Sequence, residues 1–335
     1  MITTIKFKDI IKYLAITTGI IVIVVFVARY FLNKKEIGKN EKQDNLIKKH
    51  TLISCINISI NSNEEITTEE DVKPTQEEQE KQEKIEVKDT YTNEYKGVKV
   101  KNLTDNIKLT ESILKPDYAV RNKKNIIIYH THTCESYTQT SKNTYKATGN
   151  YRTTDLNYSV VKVGDELAEE LKKRGFNVVH NNTKHDYPAY TGSYSRSLET
   201  VEKLLKDNKN TDILIDLHRD AVDKHMVREV NGVQMAPIMF FNGLSRTKAL
   251  GDISYLNNPN LTGNLAFSLQ MQIAAAEYYP NLTRPIYLKG YRYNMHFKEK
   301  YLLIEMGSYT NTQEEARNAM VPLADLLNRV LHGEN

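Results

Sequence analysis

The stretch Asn125-Ile-Ile-Ile-Tyr-His-Thr-His-Thr-Cys-Glu135 runs four large apolar or aromatic residues straight into two histidines, a cysteine and a glutamate. A short apolar run bounded by polar residues reads as a buried strand, here Asn125–His130. Comparable runs follow at Asn177–His180, Asp212–His218, Ala236–Asn242 and Tyr301–Glu305. Between them, apolar residues at three and four spacing predict helices over Tyr158–Arg174, Ser195–Asn208, Leu261–Tyr279 and Thr312–Leu331. In the first of these, Val160, Val163, Leu167 and Leu171 form one stripe, and Gly175 stands where a helix C-cap glycine belongs. From about Val98 onward the alternation predicts an α/β domain, a twisted mixed sheet flanked by helices on both faces.

Upstream of that body the sequence changes character. Residues 1–9 are a short tail, and Ile10–Leu32 carries charge only at Lys12 and Arg29. About 20 apolar residues suffice to cross a bilayer, so this run predicts a single N-terminal transmembrane helix. No A-x-A-like cleavage site follows it, which argues against a secretory signal peptide. Lysines and arginines flank the span on both sides, so charge bias does not fix its orientation. Residues 33–97 read as a polar tether. Asn61–Thr90 within it holds eleven acidic and four basic residues and cannot bury enough surface to offset ordering entropy.

Composition excludes several classes of function. The chain has 335 residues, a net charge of +4 and two cysteines, Cys55 and Cys134. Two cysteines are too few for a disulfide framework. No dense basic stripe of the kind a nucleic-acid binder needs stands out.

The chemistry gathers at strand ends. IIIYHTHTCE delivers His130 and His132, ILIDLH delivers His218 and YLLIE delivers Glu305. In open α/β sheets the ligand crevice lies outside the carboxyl ends of the strands, where these residues would converge. A helical turn after His132 would bring His132 and Glu135, three apart, to one side, where they could share an ion. His130, two residues earlier in an extended run, would share a face with His132 and is an alternative ligand or an orienting neighbour. Two histidines and one glutamate leave a coordination position open, the arrangement of a catalytic zinc. Such an ion lowers the pKa of its bound water to about 7. Glu305 is then the natural general base for attack on an amide carbonyl. Arg219 could steady an oxyanion or clamp a carboxylate, and Asp216 or Asp220 could orient a ligand histidine. Cys134, beside the ligands, could touch the metal as thiolate or fill space. His296 is a possible rim residue.

Four motifs together resemble a known family: YHTHTCESY (Tyr129–Tyr137), VGDELAEELKKRGFNV (Val163–Val178), LIDLHRDA (Leu214–Ala221) and YLLIEMGSYTNTQEEA (Tyr301–Ala316). In order and spacing, behind one apolar span, they are similar to the stage II sporulation protein P family, whose members resemble zinc N-acetylmuramoyl-L-alanine amidases. The resemblance covers about Lys99 to Leu331 and implies an amidase-like fold. It implies a membrane-anchored peptidoglycan hydrolase of endospore engulfment that cuts the lactyl–L-alanine amide, with endopeptidase activity on cross-links also ascribed to the family. It implies sporulation stage II proteins D and M as partners, and a catalytic domain lying outside the membrane between mother cell and forespore. Carried onto this chain, the metal histidines fall on His132 or His130 and on His218, and the catalytic glutamate on Glu305.

One departure bears on the ligand set. Related amidases take the glutamate ligand from just before the first long helix, where this chain reads RTTDLNY, Arg152–Tyr158, with Asp155 its one carboxylate. Glu135 therefore takes the ligand role and Asp155 is the fallback. A zinc carboxypeptidase shares the same order of His, Glu, His and distal Glu. It would need an arginine for a terminal carboxylate, with Arg152, Arg219 and Arg292 as candidates. The non-enzymatic alternative is a tethered wall-binding scaffold.

Overall fold

A computed structural model describes residues 91–95, 97–104, 124–247 and 251–332. The Ile10–Leu32 span and the Asn61–Thr90 stretch lie outside these residues. Among those described, no helix is long and apolar enough to cross a membrane. The strands are β1 (Asn93–Tyr95), β2 (Val98–Asn102), β3 (Asn125–Tyr129), β4 (Asn177–His180), β5 (Ile213–Asp220) and β6 (Arg228–Val230). They continue with β7 (Val233–Met235), β8 (Ile238–Gly243), β9 (Arg246–Thr247), β10 (Gly251–Asp252), β11 (Ile286–Lys289) and β12 (Tyr301–Ser308). The helices are α1 (Val160–Lys173), α2 (Ser193–Asp207), α3 (Leu261–Tyr278), α4 (Gln313–Asn318) and α5 (Met320–His332).

Eight strands form one sheet in the order β1-β2-β11-β8-β12-β5-β3-β4. β12, β5, β3 and β4 run parallel, β8 runs antiparallel to β12, and β11 and β2 follow β8. The sheet is therefore mixed. Successive side chains point to opposite faces of a strand, and both faces of the central strands are buried. On one face Ile126, Ile128, Ile213, Ile215, Leu302 and Ile304 pack with α1, α3 and α5. On the other Ile127, Tyr129, Leu214, Tyr301 and Leu303 pack with Val201 of α2. The predicted stripe of α1 is realised, with Val160, Val163, Leu167 and Leu171 each 0% exposed. Gly175 closes the helix at φ +83, donating to Lys172 O at 3.0 Å.

Some boundaries differ from expectation. The sheet begins at β1, a few residues before Val98, and β1 and β2 pair antiparallel. β3 stops at Tyr129 rather than His130. The helix expected over Thr312–Leu331 is two, α4 with a Thr312–Glu315 capping box and α5. Pro322 lies in the first turn of α5, where its missing N–H leaves no hydrogen bond unmade.

Candidate functional site

Once β3 ends, the chain turns through Thr131–Cys134. Two buried carboxylates pin that turn. Asp216 of β5 accepts hydrogen bonds from the Thr131 N–H and hydroxyl at 2.8 and 2.7 Å. Asp186, in the loop after β4, accepts from the Thr133 hydroxyl at 2.9 Å and the Cys134 N–H at 3.1 Å, and pairs with Arg152. The Glu135 N–H then donates to His132 O at 3.2 Å, the turn that sets these two residues on one side.

His132 and Glu135 thereby meet His218. The two imidazole rings lie 5.2 Å apart, and His218 Nδ1 stands 3.6 Å from Glu135 Oε2. Glu305 is the register partner of His218 on the neighbouring strand, so the two side chains share a face. It is the face covered by α2, whose Ser193 hydroxyl lies 3.3 Å from His132 Nδ1 and whose Tyr194 meets the ring edge-on. Tyr190 stacks on the other side of His132 at 4.5 Å. Glu135 is held in turn by Arg219, whose N–H donates to Glu135 Oε2 at 3.1 Å.

Burial opposes charge on each of these groups, and neighbours decide the outcome. His132 is pushed down by burial to about 4, so it is neutral at pH 7. Burial also opposes charge on His218, but the Asp216 and Glu135 carboxylates raise it well above its ordinary value. Glu135, despite burial, is held well below the usual carboxylate range by Arg219 and His218. Glu305 goes the other way: burial pushes it up to about 8, the His218 charge working against this and Asp220 and Glu135 adding to it.

Among the described residues no three His, Cys, Asp or Glu side chains stand ready-made around one point. His132 points Nε2 at the Tyr190 hydroxyl, 3.2 Å away. The donor chemistry nevertheless fits zinc. Two imidazoles and a carboxylate converge at the buried strand ends, and Glu305 Oε2 beside them is a buried oxygen with no hydrogen-bond partner. His218 Nε2 comes within 2.8 Å of Asp216 Oδ1 but out of line for a hydrogen bond. A small ring rotation would give a metal histidine oriented by a carboxylate. Asp216→Asn is accordingly expected to weaken zinc binding by roughly 10–100-fold, read by competition against a chelator; unchanged affinity would remove the orienting role.

The remaining sequence candidates lie elsewhere. His130 does not share a face with His132, because the strand ends before it. Its ring lies against α1, where Nδ1 meets Leu217 O at 2.7 Å and Nε2 meets His180 Nε2 at 2.8 Å. Gly164 permits this approach, since a Cβ there would come within 2.7 Å of both rings. Asp155 is exposed and caps a short helical turn, accepting from the Asn157 N–H at 3.1 Å. Arg219 spends its guanidinium on Ser136 O and Tyr151 O, at 2.9 and 3.1 Å, which fits support of Glu135 better than clamping a substrate. Arg152 pairs with Asp186 and lies over the Tyr190 ring. Arg292 donates to Asn257 O, and beside it His296 is pushed down to about 4 by burial.

Cys134 is 1% exposed, and burial together with Asp186 pushes its thiol up to about 12. The thiol is therefore protonated at neutral pH where no cation stands beside it. Peptide mapping after iodoacetamide treatment of the native protein at pH 8 should find Cys134 unlabelled until the chain is unfolded. Rapid native labelling would contradict the burial.

Sequence reasoning missed Asp186, Tyr190, Ser193 and Tyr194. The available signal was position, since all follow β4 at the strand end where the site forms.

The family model described as Stage II sporulation protein P (SpoIIP) matches residues 31–328. The Stage II sporulation protein P of Bacillus subtilis (strain 168) is 26% identical over 227 residues, covering 64% of this chain and 53% of that protein. The chain thus spans about half the length of the curated relative it matches. Among solved structures it is similar to the N-acetylmuramoyl-L-alanine amidase AmiC2 of Nostoc punctiforme, at 13% identity over 64% of this chain and 97% of that one, with a TM-score of 0.35. It is similar also to the CwlD amidase from Clostridioides difficile in complex with the GerS lipoprotein, at 12% identity over 62% and 94%, with a TM-score of 0.36.

Proposed function

The chain belongs to the stage II sporulation protein P family, and we propose that it is a zinc-dependent peptidoglycan hydrolase of sporulation that cuts the amide between N-acetylmuramic acid and L-alanine. The observation that carries this reading is the convergence of His132, Glu135 and His218 beside a desolvated Glu305.

A zinc ion held by His132, Glu135 and His218 would supply Lewis acidity and an activated water at neutral pH. The protein's own groups do the rest. Glu305, unpaired at Oε2, takes the proton of the attacking water and passes it to the departing amide nitrogen. Arg219 fixes the Glu135 carboxylate, and Asp216 fixes the His132 turn and stands as the charge partner of the His218 ring. Tyr190 and Tyr194 wall His132 on two sides and limit its rotation. The same arrangement would act on amides of peptide cross-links.

In this reading residues 10–32 anchor the chain, 33–97 form the tether and 98–335 form the catalytic body outside the membrane, in the space between mother cell and forespore. Sporulation stage II proteins D and M are its partners there. The test is mass spectrometry of products from glycan-linked wall and from muropeptides, with zinc supplied and with chelator. Intact stem peptides released only with metal are expected. Single amino acids would point to a carboxypeptidase, and no release with zinc present to a wall-binding scaffold.

A further inference from the structure

Beside the candidate ligands two tyrosines stand face to face. Tyr309 follows the last residue of β12 and Tyr151 precedes Arg152, and their rings stack at 4.5 Å with 24° between the planes. Both are partly open to solvent, and neither belongs to the two apolar cores. Tyr137 and Tyr145, by contrast, have structural work: Tyr137 is buried and donates to Met306 O at 3.3 Å, and Tyr145 donates to Tyr137 O at 2.7 Å.

The backbone beneath the pair is held in an unusual shape. Tyr151 has φ +47, a region that bulky residues rarely adopt. Its carbonyl accepts from the Ser136 N–H at 2.9 Å and from Arg219 Nη2 at 3.1 Å. Tyr309 is fixed by its N–H, which donates to Asp220 O at 3.1 Å. Strain of this kind persists only where the surroundings over-determine it, and it gathers at active sites and ligand clamps.

Contacts tie the pair to the site. Arg219 Cζ stands 5.6 Å from the centre of the Tyr309 ring, and Arg219 Nη1 lies 3.9 Å from Glu135 Oε1. One guanidinium thus separates the rings from the carboxylate that would hold the ion. The stretch leading into Tyr151, TQTSKNTYKATGNY (Thr138–Tyr151), has two lysines, no acid and otherwise hydroxyl, amide and small residues, most of them exposed. An open aromatic face bordered by uncharged donors and acceptors suits a neutral polyol: the ring takes the C–H side of a sugar, and amides and hydroxyls take its OH groups.

We propose that Tyr151 and Tyr309 form a sugar subsite, on which a pyranose ring of the glycan strand lies so that the amide it bears is held beside Glu135 and Glu305. This rests on the hydrolase reading and names the arm of the substrate that lies on the Arg219 side of the site.

Peptide-free glycan strands carry no scissile amide, so calorimetric titration of the full-chain protein with them reads the subsite without turnover. Tyr309→Ala and Tyr151→Ala are each expected to weaken glycan binding about tenfold, the scale of one lost aromatic contact, whereas Tyr309→Phe, which keeps the ring, should retain it. On glycan-linked wall with zinc supplied, the alanine variants should raise KM by a similar factor, with the loss in KM rather than kcat. The chain has no tryptophan, so Tyr309→Trp introduces a single reporter that also keeps an aromatic face, and its emission should change until glycan saturates the protein. No glycan binding by the parent, equal binding by the parent and both folded alanine variants, or emission unmoved by glycan overturns the subsite, and the hydrolase reading stands if wall is still cut. Glycan binding that depends on the pair, in a protein that releases no peptide, supports the subsite and sinks only the hydrolase reading.

Discussion

Glu305→Gln is expected to lower turnover of the wall amide at least about a hundredfold, the usual scale for removing a general base, while metal content and fold stay intact. The substitution keeps volume, and Glu305 Oε2 has no hydrogen bond to lose. Its pH signature separates a base from a merely structural glutamate. Burial raises the carboxyl from 4.5 to about 8, and a bound cation would draw it back down. The parent's kcat/KM should therefore rise with pH along a limb lying between those values, and that limb should vanish in the variant. Stability gives a second readout. The folded state keeps this proton to higher pH than the unfolded chain does, so it binds more protons across that window and loses stability as pH rises through it. Glutamine has no such proton, so the metal-free variant should melt no lower than the parent at pH 8.5 and lose less on going there from pH 6. Wild-type turnover in the variant, or an unchanged pH limb, would remove Glu305 from the chemistry.

What was readable beforehand follows the physics of burial. β3, β5 and β12 are buried on both faces and so appear as apolar runs, broken in β5 only by Asp216, and the residues ending them could be named from spacing. β2 and β11, reading VKVKN and IYLK, alternate lysines with apolar residues because one of their faces is open. That alternation is short and resembles ordinary surface, so neither strand is legible in the sequence. His130 and His132 looked equivalent in sequence, and a one-residue difference in where β3 stops sent them to opposite faces. Asp186 reaches Cys134 across 52 residues of chain, a pairing no local pattern encodes. Asp155 stands apart from the other candidates for a local reason: an aspartate two residues before a backbone N–H at a helical turn is a cap first.

His218→Ala is expected to abolish both metal binding and release of peptides, because it removes the side chain that meets His132, Glu135 and Asp216. The loss should exceed the roughly 10–100-fold cost of deleting an orienting partner. Metal analysis of the purified variant reads it directly. Between Asp216 and Glu135, His218 is held protonated above its ordinary range, so an ion must displace a proton to bind there. Zinc affinity of the parent should therefore climb as pH rises through neutrality, with proton release detectable in buffers of different ionisation heat. The alanine variant also leaves the buried Asp216 carboxylate without its cation, a change that costs about 3–5 kcal/mol. His218→Gln, which keeps a hydrogen-bond donor for Asp216, separates folding from metal loss: folded and zinc-free is the expected result. A variant that stays folded and still binds zinc as tightly as the parent would take His218 out of the ligand set. Glu305 would then have no ion on its own strand face to work beside, and the hydrolase reading would lose its geometric footing.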